Sequence, residues 1–151
     1  VTYVRIGGVK HDLPDGFAES VTRTFKTIRK LLDDCDRLLS RNRIFLDRLS
    51  NVGVISQETA LNYCLTGPIL RGTGIGYDVR KVFPYLVYDQ LDFEVPVGTR
   101  GDNYDRFICR IREIEQSLAL IGQLLDRLPH GSTRIDLPVT RTDFNAWIAE
   151  G

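Results

Sequence analysis

Between Tyr104 and Leu128 the large apolar side chains recur at positions 104, 107, 111, 114, 118, 121, 125 and 128. Steps of three and four in alternation set all eight on one face of an α-helix. At 1.5 Å per residue such a rod is about 40 Å long, and its apolar stripe needs a partner. Asp102 stands where an N-cap belongs, and Asp105 falls in the first turn, where a carboxylate complements the helix dipole. Pro129 and Gly131 mark its end. A second run has the same period: Phe17, Val21, Phe25, Ile28, Leu32, Cys35 and Leu39, after a Leu13-Pro14-Asp15-Gly16 turn. The two patterns predict helices over about 16–39 and 102–128, packed together antiparallel. The expected fold class is mainly α, with short helices and extended segments between the two long ones.

The intervening chain is less regular. Residues 1–9 are rich in β-branched side chains and end in Gly7-Gly8, which predicts a short extended segment and a turn. Residues 41–49 predict a short helix. Ser56 can cap another that stops near Cys64. The stretch 66–77 is rich in glycine and holds Arg71; it predicts a backbone loop that needs positive φ. Asp78 to Phe83 can form one or two helical turns before Pro84. Residues 85–97 predict extended chain lying on a core. The tail 130–151 is polar, with Asp143 to Ile148 as a final anchor. The whole of 1–151 is read as one fragment of a single domain.

Composition narrows the class. The chain has 151 residues, 42% apolar and 26% charged, which argues against disorder. Twenty basic side chains balance twenty acidic ones, so no global field attracts nucleic acid. No apolar run approaches the roughly 18 residues of a membrane span. Cys35, Cys64 and Cys109 stand far apart without a Cys-x-x-Cys pair, which predicts three reduced thiols and neither a disulfide framework nor a metal site. Methionine is absent, position 1 included, which suggests an internal piece of a longer chain. Sixteen arginines against four lysines favour forked contacts to carboxylates across an interface.

The constellations that could carry chemistry are few. Gly72, Gly74 and Gly76 lack the spacing of a dinucleotide fingerprint, and no Gly-Lys-Ser/Thr follows to make a phosphate loop. His11 beside Asp12 is a lone loop histidine, and His130 near a helix end is a dipole partner. Glu113 and Glu115 are expected to be solvated or paired with Arg110 and Arg112. Tyr104, Asp105 and Arg106 at the start of the long helix are expected to form a polar anchor. The residues by themselves lead to a helical, arginine-rich interaction piece.

Five blocks go further when taken in order. They are Tyr3-Val4-Arg5-Ile6-Gly7-Gly8-Val9 with Asp12-Leu13-Pro14; Gly53-Val54-Ile55-Ser56; and Leu65-Thr66-Gly67-Pro68 with Leu70-Arg71-Gly72 and Gly74. Next comes Asp78-Val79-Arg80-Lys81 with Pro84-Tyr85 and Tyr88. The last is Asp92 to Gly98, Gly101-Asp102 and Tyr104-Asp105-Arg106, running on through Arg110-Ile111 and Glu113 to Gln116-Ser117. Over residues 3–120 this order resembles the D-subunit family of NADH:quinone oxidoreductase, respiratory complex I; residues 130–151 lie outside the resemblance.

The resemblance implies part of a nickel–iron hydrogenase large-subunit-like fold, in a peripheral arm on the cytoplasmic side of a membrane complex. It implies docking on the subunit that carries the terminal iron–sulfur cluster, with quinone bound between the two. No cofactor is expected in this chain itself, because the family's headgroup-binding side chains lie upstream of the first block. Arg5, Gly7, Gly8 and His11 are then candidates beside the quinone or cluster. Arg71, Arg80, Lys81, Tyr104, Asp105 and Arg106 are interface candidates. Two alternatives stand. One is a large-subunit fragment of a complex-I-like membrane-bound hydrogenase or ferredoxin:quinone oxidoreductase. The other is a stand-alone helical module. A torn surface also predicts self-association of the isolated piece.

Overall fold

The computed structural model describes residues 3–136, 138 and 140–150, with backbone alone for Phe144, Ile148 and Glu150. Its packing divides into two units, residues 1–17 with 128–151, and residues 18–127.

In the first unit, β1 (Val4–Arg5) and β2 (Gly8–Val9) form an antiparallel hairpin with Val4 opposite Val9 and Arg5 opposite Gly8. Gly7 (φ 79°) supplies the left-handed residue of the turn. The chain around Arg134 lies along β2 as a third, bridge-length strand. Val9 N donates to Thr133 O at 3.0 Å and Ile135 N to Gly7 O at 2.9 Å. The C-terminal helix, Arg141–Glu150, begins at Thr140, whose Oγ1 accepts from Asp143 N at 3.1 Å. The anchor expected at 143–148 falls inside this helix; the side chains of Phe144 and Ile148 are outside the described residues.

In the second unit, α1 (Phe17–Cys35) runs on into a π-helical turn, Asp36–Ser40, so the helix expected over 16–39 is present with a wider last turn. Next come α2 (Arg43–Leu49), α3 (Gln57–Asn62), α4 (Gly67–Gly72), α5 (Val79–Val82), a 3₁₀ turn (Tyr88–Gln90) and α6 (Asn103–Leu125). Two of the caps, Ser56 and Asp102, are those expected from the sequence; Asn42 and Asp78 cap as well. Asn42 caps α2, Ser56 accepts from Thr59 N, Asp78 from Arg80 N and Asp102 from Asp105 N. The fold is mainly α, as expected.

Three expectations are corrected. First, the two long helices do not pack together: no Cα of α1 comes within 8 Å of one in α6. They face each other across a groove of about 330 Å³ lined by Arg29, Leu32, Asp33, Glu115 and Leu118. Helix α6 is covered instead by α4, by α2 and by the chain over 91–97. Second, the glycine-rich stretch is not all loop, because α4 occupies Gly67–Gly72 with Pro68 in its first turn. Its glycines start and close a helix, a pattern that resembles a breaker in sequence. Third, Glu113 pairs with Arg71 and not with a neighbour on its own helix.

The buried face of α6 is also rotated from the expected stripe. Of the stripe, Leu118 is buried but Ile114 and Ile121 stay exposed, while Arg106, Cys109 and Leu120, which lie off it, are buried. The reason is the cover. Residues 91–97 run antiparallel to α6 as extended chain, pinned by glutamines two turns apart. Gln123 accepts from Asp92 N at 2.9 Å and donates to Asp92 O at 2.6 Å; Gln116 accepts from Glu94 N at 2.9 Å. Under this strap Leu91, Phe93 and Leu120 form a small core with Tyr88 and Val95 against it.

Candidate functional site

The packed half is built around charges at least as much as around apolar side chains. Asp102 is 0% exposed, and Arg71 and Arg106 are each 9% exposed. Such groups survive burial only when hydrogen-bonded. Asp102 accepts from Asn51 N and Asp105 N, both at 2.8 Å. Arg106 Nη1 donates to Gly101 O at 2.6 Å, and its Nη2 donates to Gly53 O at 2.6 Å and Asn103 Oδ1 at 2.5 Å. Asp105 Oδ2 accepts from Thr99 N at 2.8 Å and also from Arg100 N. Tyr104 OH reaches Ser40 O at 3.2 Å. Tyr104, Asp105 and Arg106 do form a polar anchor, and it ties three separate stretches of backbone, at Ser40, Gly53 and Thr99 to Gly101, to the first two turns of α6.

Glycines make the approach of α4 to α6 possible. A Cβ on Gly72 would stand 3.1 Å from Arg106 Cγ, and one on Gly98 would stand 2.4 Å from Gly72 O. Gly101 (φ 71°) lies so close to Ile55 that a Cβ would fall 2.1 Å from its carbonyl oxygen.

Beside this knot lies a cleft of about 500 Å³ lined by Thr66, Gly67, Arg71, Tyr77, Asp78, Val79, Arg80 and Tyr85. Helix α4 supplies Arg71. Its Nε donates to Glu113 Oε1 at 2.6 Å and its Nη1 to Tyr77 O at 3.0 Å. Asp78 takes Arg80 Nε at 3.0 Å and Nη2 at 2.7 Å besides capping α5. The Arg80 guanidinium carbon stands 4.9 Å from the Phe93 ring centroid and 5.8 Å from that of Tyr88; Lys81 Nζ is 4.9 Å from Phe93. The Arg80 side-chain hydrogen bond holds the Asp78 carboxyl below the usual carboxylate range, and the same contact raises Arg80. Both stay ionised near neutral pH, which suits bracing and recognition and not proton exchange.

The structure thus brings Arg71 and Arg80 to one cleft, sets Lys81 next to it, and places Tyr104, Asp105 and Arg106 in the knot. Arg5, Gly7, Gly8 and His11 belong to the hairpin of the first unit. Arg5 and His11 are exposed, and the His11 carbonyl accepts from Tyr3 OH at 2.7 Å. Sequence reasoning missed Asp78 and Glu113 as partners of the two cleft arginines. It also missed the strap glutamines, whose seven-residue spacing was a usable signal.

Residues 1–145 match the family model of the respiratory-chain NADH dehydrogenase 49 kDa subunit. The NADH-quinone oxidoreductase D subunit of Pelobacter propionicus is 50% identical over 135 residues, covering 89% of this chain and 34% of that protein. The protein of the same name from Myxococcus xanthus is 46% identical over 135 residues, covering 89% and 32%. The NADH-ubiquinone oxidoreductase 49 kDa subunit of Reclinomonas americana is 45% identical over 146 residues, covering 94% and 37%. The chain spans about a third of the length of the curated relatives it matches.

Proposed function

The chain belongs to the 49 kDa, or D-subunit, family of respiratory-chain NADH dehydrogenase. From that premise we propose that it is part of the quinone-reducing module of a proton-pumping NADH:quinone oxidoreductase. There it supplies scaffold and interface beside the terminal iron–sulfur subunit. The complete subunit takes a nickel–iron hydrogenase large-subunit-like fold, on the cytoplasmic face of a membrane complex. No helix among the described residues is long and apolar enough to cross a membrane, which agrees with a peripheral position in such a complex.

The observation that carries this reading is the state of the buried charges. Arg71, Asp78, Arg80, Asp102, Arg106 and Glu113 are engaged with backbone or with each other. Groups committed to such contacts hold separate stretches of chain in fixed positions, which is the work of a frame.

Quinone and the cluster belong to the assembled complex and not to this chain. Arg5 and His11 are the polar side chains of the hairpin that could stand behind a bound headgroup. Gly8 does not fit as a bed for the ring, because the space a Cβ would fill is already taken by Thr133 O, 2.1 Å from that point. Gly7 and Gly8 instead fix the turn that presents Arg5. No redox step is assigned to these residues. The interface role falls on the cleft and on Lys81, with Tyr104, Asp105 and Arg106 holding them in place.

The test is Arg71→Ala and Arg106→Ala in the full-length subunit within the complex. The expected outcome is less assembled complex with normal quinone turnover in whatever assembles. Normal assembly combined with a severe loss of turnover per complex would reject the scaffold reading.

A further inference from the structure

The first unit carries four Lys and Arg residues against five Asp and Glu, yet three of its four cations line one depression. It measures about 560 Å³ and is lined by Val4, Arg5, Ile6, Lys10 and Arg134, with no carboxylate among the described residues of its wall. The three cations come from distant points of the sequence. Arg5 lies on β1, Lys10 directly follows β2, and Arg134 is held against Gly8 by the bridge-length strand. That placement depends on Gly8, since a Cβ there would stand 2.1 Å from Thr133 O and 2.9 Å from Arg134 Cα. Among the described residues none of the three has an ion-pair partner.

We propose that this depression is the docking site for an acidic, partly apolar segment of a neighbouring subunit. The inference goes beyond the functional reading above and needs only that the family member works within an assembly. Three like charges held together repel one another unless an anion lies between them, so the arrangement favours a bound carboxylate-bearing chain. Two features select a polypeptide over other anions. Val4 and Ile6, 73% and 82% exposed, stand on the same wall and offer apolar contact that a free phosphate does not use. The cations line a concavity, into which a polypeptide reaches and a flat bilayer does not. The occupant is then an extended stretch with two or three Asp or Glu side chains next to a large apolar one.

The experiment is zero-length carbodiimide coupling of the intact complex, followed by mass spectrometry. It joins the Lys10 amine to any carboxylate in contact with it. The expected product is an amide between Lys10 and an Asp or Glu of another subunit, absent in Lys10→Arg. If Lys10 couples only within its own chain, or not at all while Lys81 or other lysines of the complex do, the proposal fails. Lys10→Glu with Arg134→Glu in the full-length subunit should lower co-purification of the neighbouring subunits by roughly tenfold at low salt. Wild-type retention by that double variant overturns the proposal. So does flotation of the full-length subunit with phosphatidylcholine–phosphatidylglycerol vesicles that the double variant abolishes, since the occupant is then a membrane. Quinone turnover enters neither readout, so failure here is separable from failure of the functional reading.

Discussion

Arg71 Nε meets Glu113 Oε1 at 2.6 Å, joining α4 to the middle of α6 across 42 residues of sequence. The side chains are 11% and 19% exposed, so each charge depends on the other for what water no longer supplies. Arg71→Ala should destabilise the subunit by about 3 kcal/mol, because it leaves Glu113 largely desolvated and also frees Tyr77 O. Arg71→Ala combined with Glu113→Ala should cost less than the sum of the two single changes. Urea denaturation of the four proteins measures this; strict additivity would mean that the pair contributes nothing.

Two glycines with nearly the same φ separate steric from conformational cost. At Gly67 (φ 66°) an added methyl would have nothing within 4 Å, whereas at Gly101 (φ 71°) it would lie 2.1 Å from Ile55 O. Gly67→Ala should cost about 1 kcal/mol, the ordinary penalty for a left-handed L-residue. Gly101→Ala should cost several times as much, about 3 kcal/mol or more, because Ile55 N donates to Gly101 O at 3.0 Å and the loop cannot move away without losing that bond. Equal losses in thermal unfolding would contradict the packing described for Gly101.

The helices were legible in sequence where local signals agree. Asp102 precedes the strongest periodic run and caps it, and Ser56 caps the helix expected after it; Asp78 caps α5 without having been singled out. The pairing of the long helices was not legible. Two stripes of equal length are compatible with mutual packing, and nothing in either stripe shows that α4 will lie on α6 instead; that approach rests on Gly72, where a Cβ would stand 3.1 Å from Arg106 Cγ. The cleft was half legible. Arg71 and Arg80 were singled out as cations, but Glu113 lies 42 residues from its partner, and only the crossing of α4 over α6 brings them together. The basic depression follows the same logic: nothing in the local sequence connects Lys10 with Arg134 until the third strand forms.

Asp78 gives the fold a specific acid sensitivity. Its carboxyl is held below the usual value first by the Arg80 side-chain hydrogen bond, with burial opposing and the Arg80 backbone bond assisting. A depressed folded-state pKa adds stability that is complete above the unfolded value of about 4 and fades as pH falls toward the folded value. Arg80→Gln should therefore reduce stability at neutral pH and flatten its decline below about pH 4. Denaturation midpoints across that range test it, and an unchanged acid limb would show that Asp78 does not depend on Arg80.

The three free thiols should differ sharply in reactivity. Cys109 is buried on α6, and its thiol is pushed up first by burial and then by the Glu113 and Asp105 carboxylates. Cys64 is exposed and lies at the end of α3 with φ 52°, while Cys35 is half-buried at the close of α1. Alkylation requires both access and thiolate, and Cys109 has neither in the folded state. At about pH 8, iodoacetamide should label Cys64 first in the isolated subunit and leave Cys109 untouched until denaturant is added. The rate at Cys109 then reports opening of the α4–α6 packing, so Arg71→Ala should accelerate it by the same factor that it increases the unfolded fraction. Rapid labelling of Cys109 in the native subunit would mean that the face of α6 assigned to the interior is open to solvent.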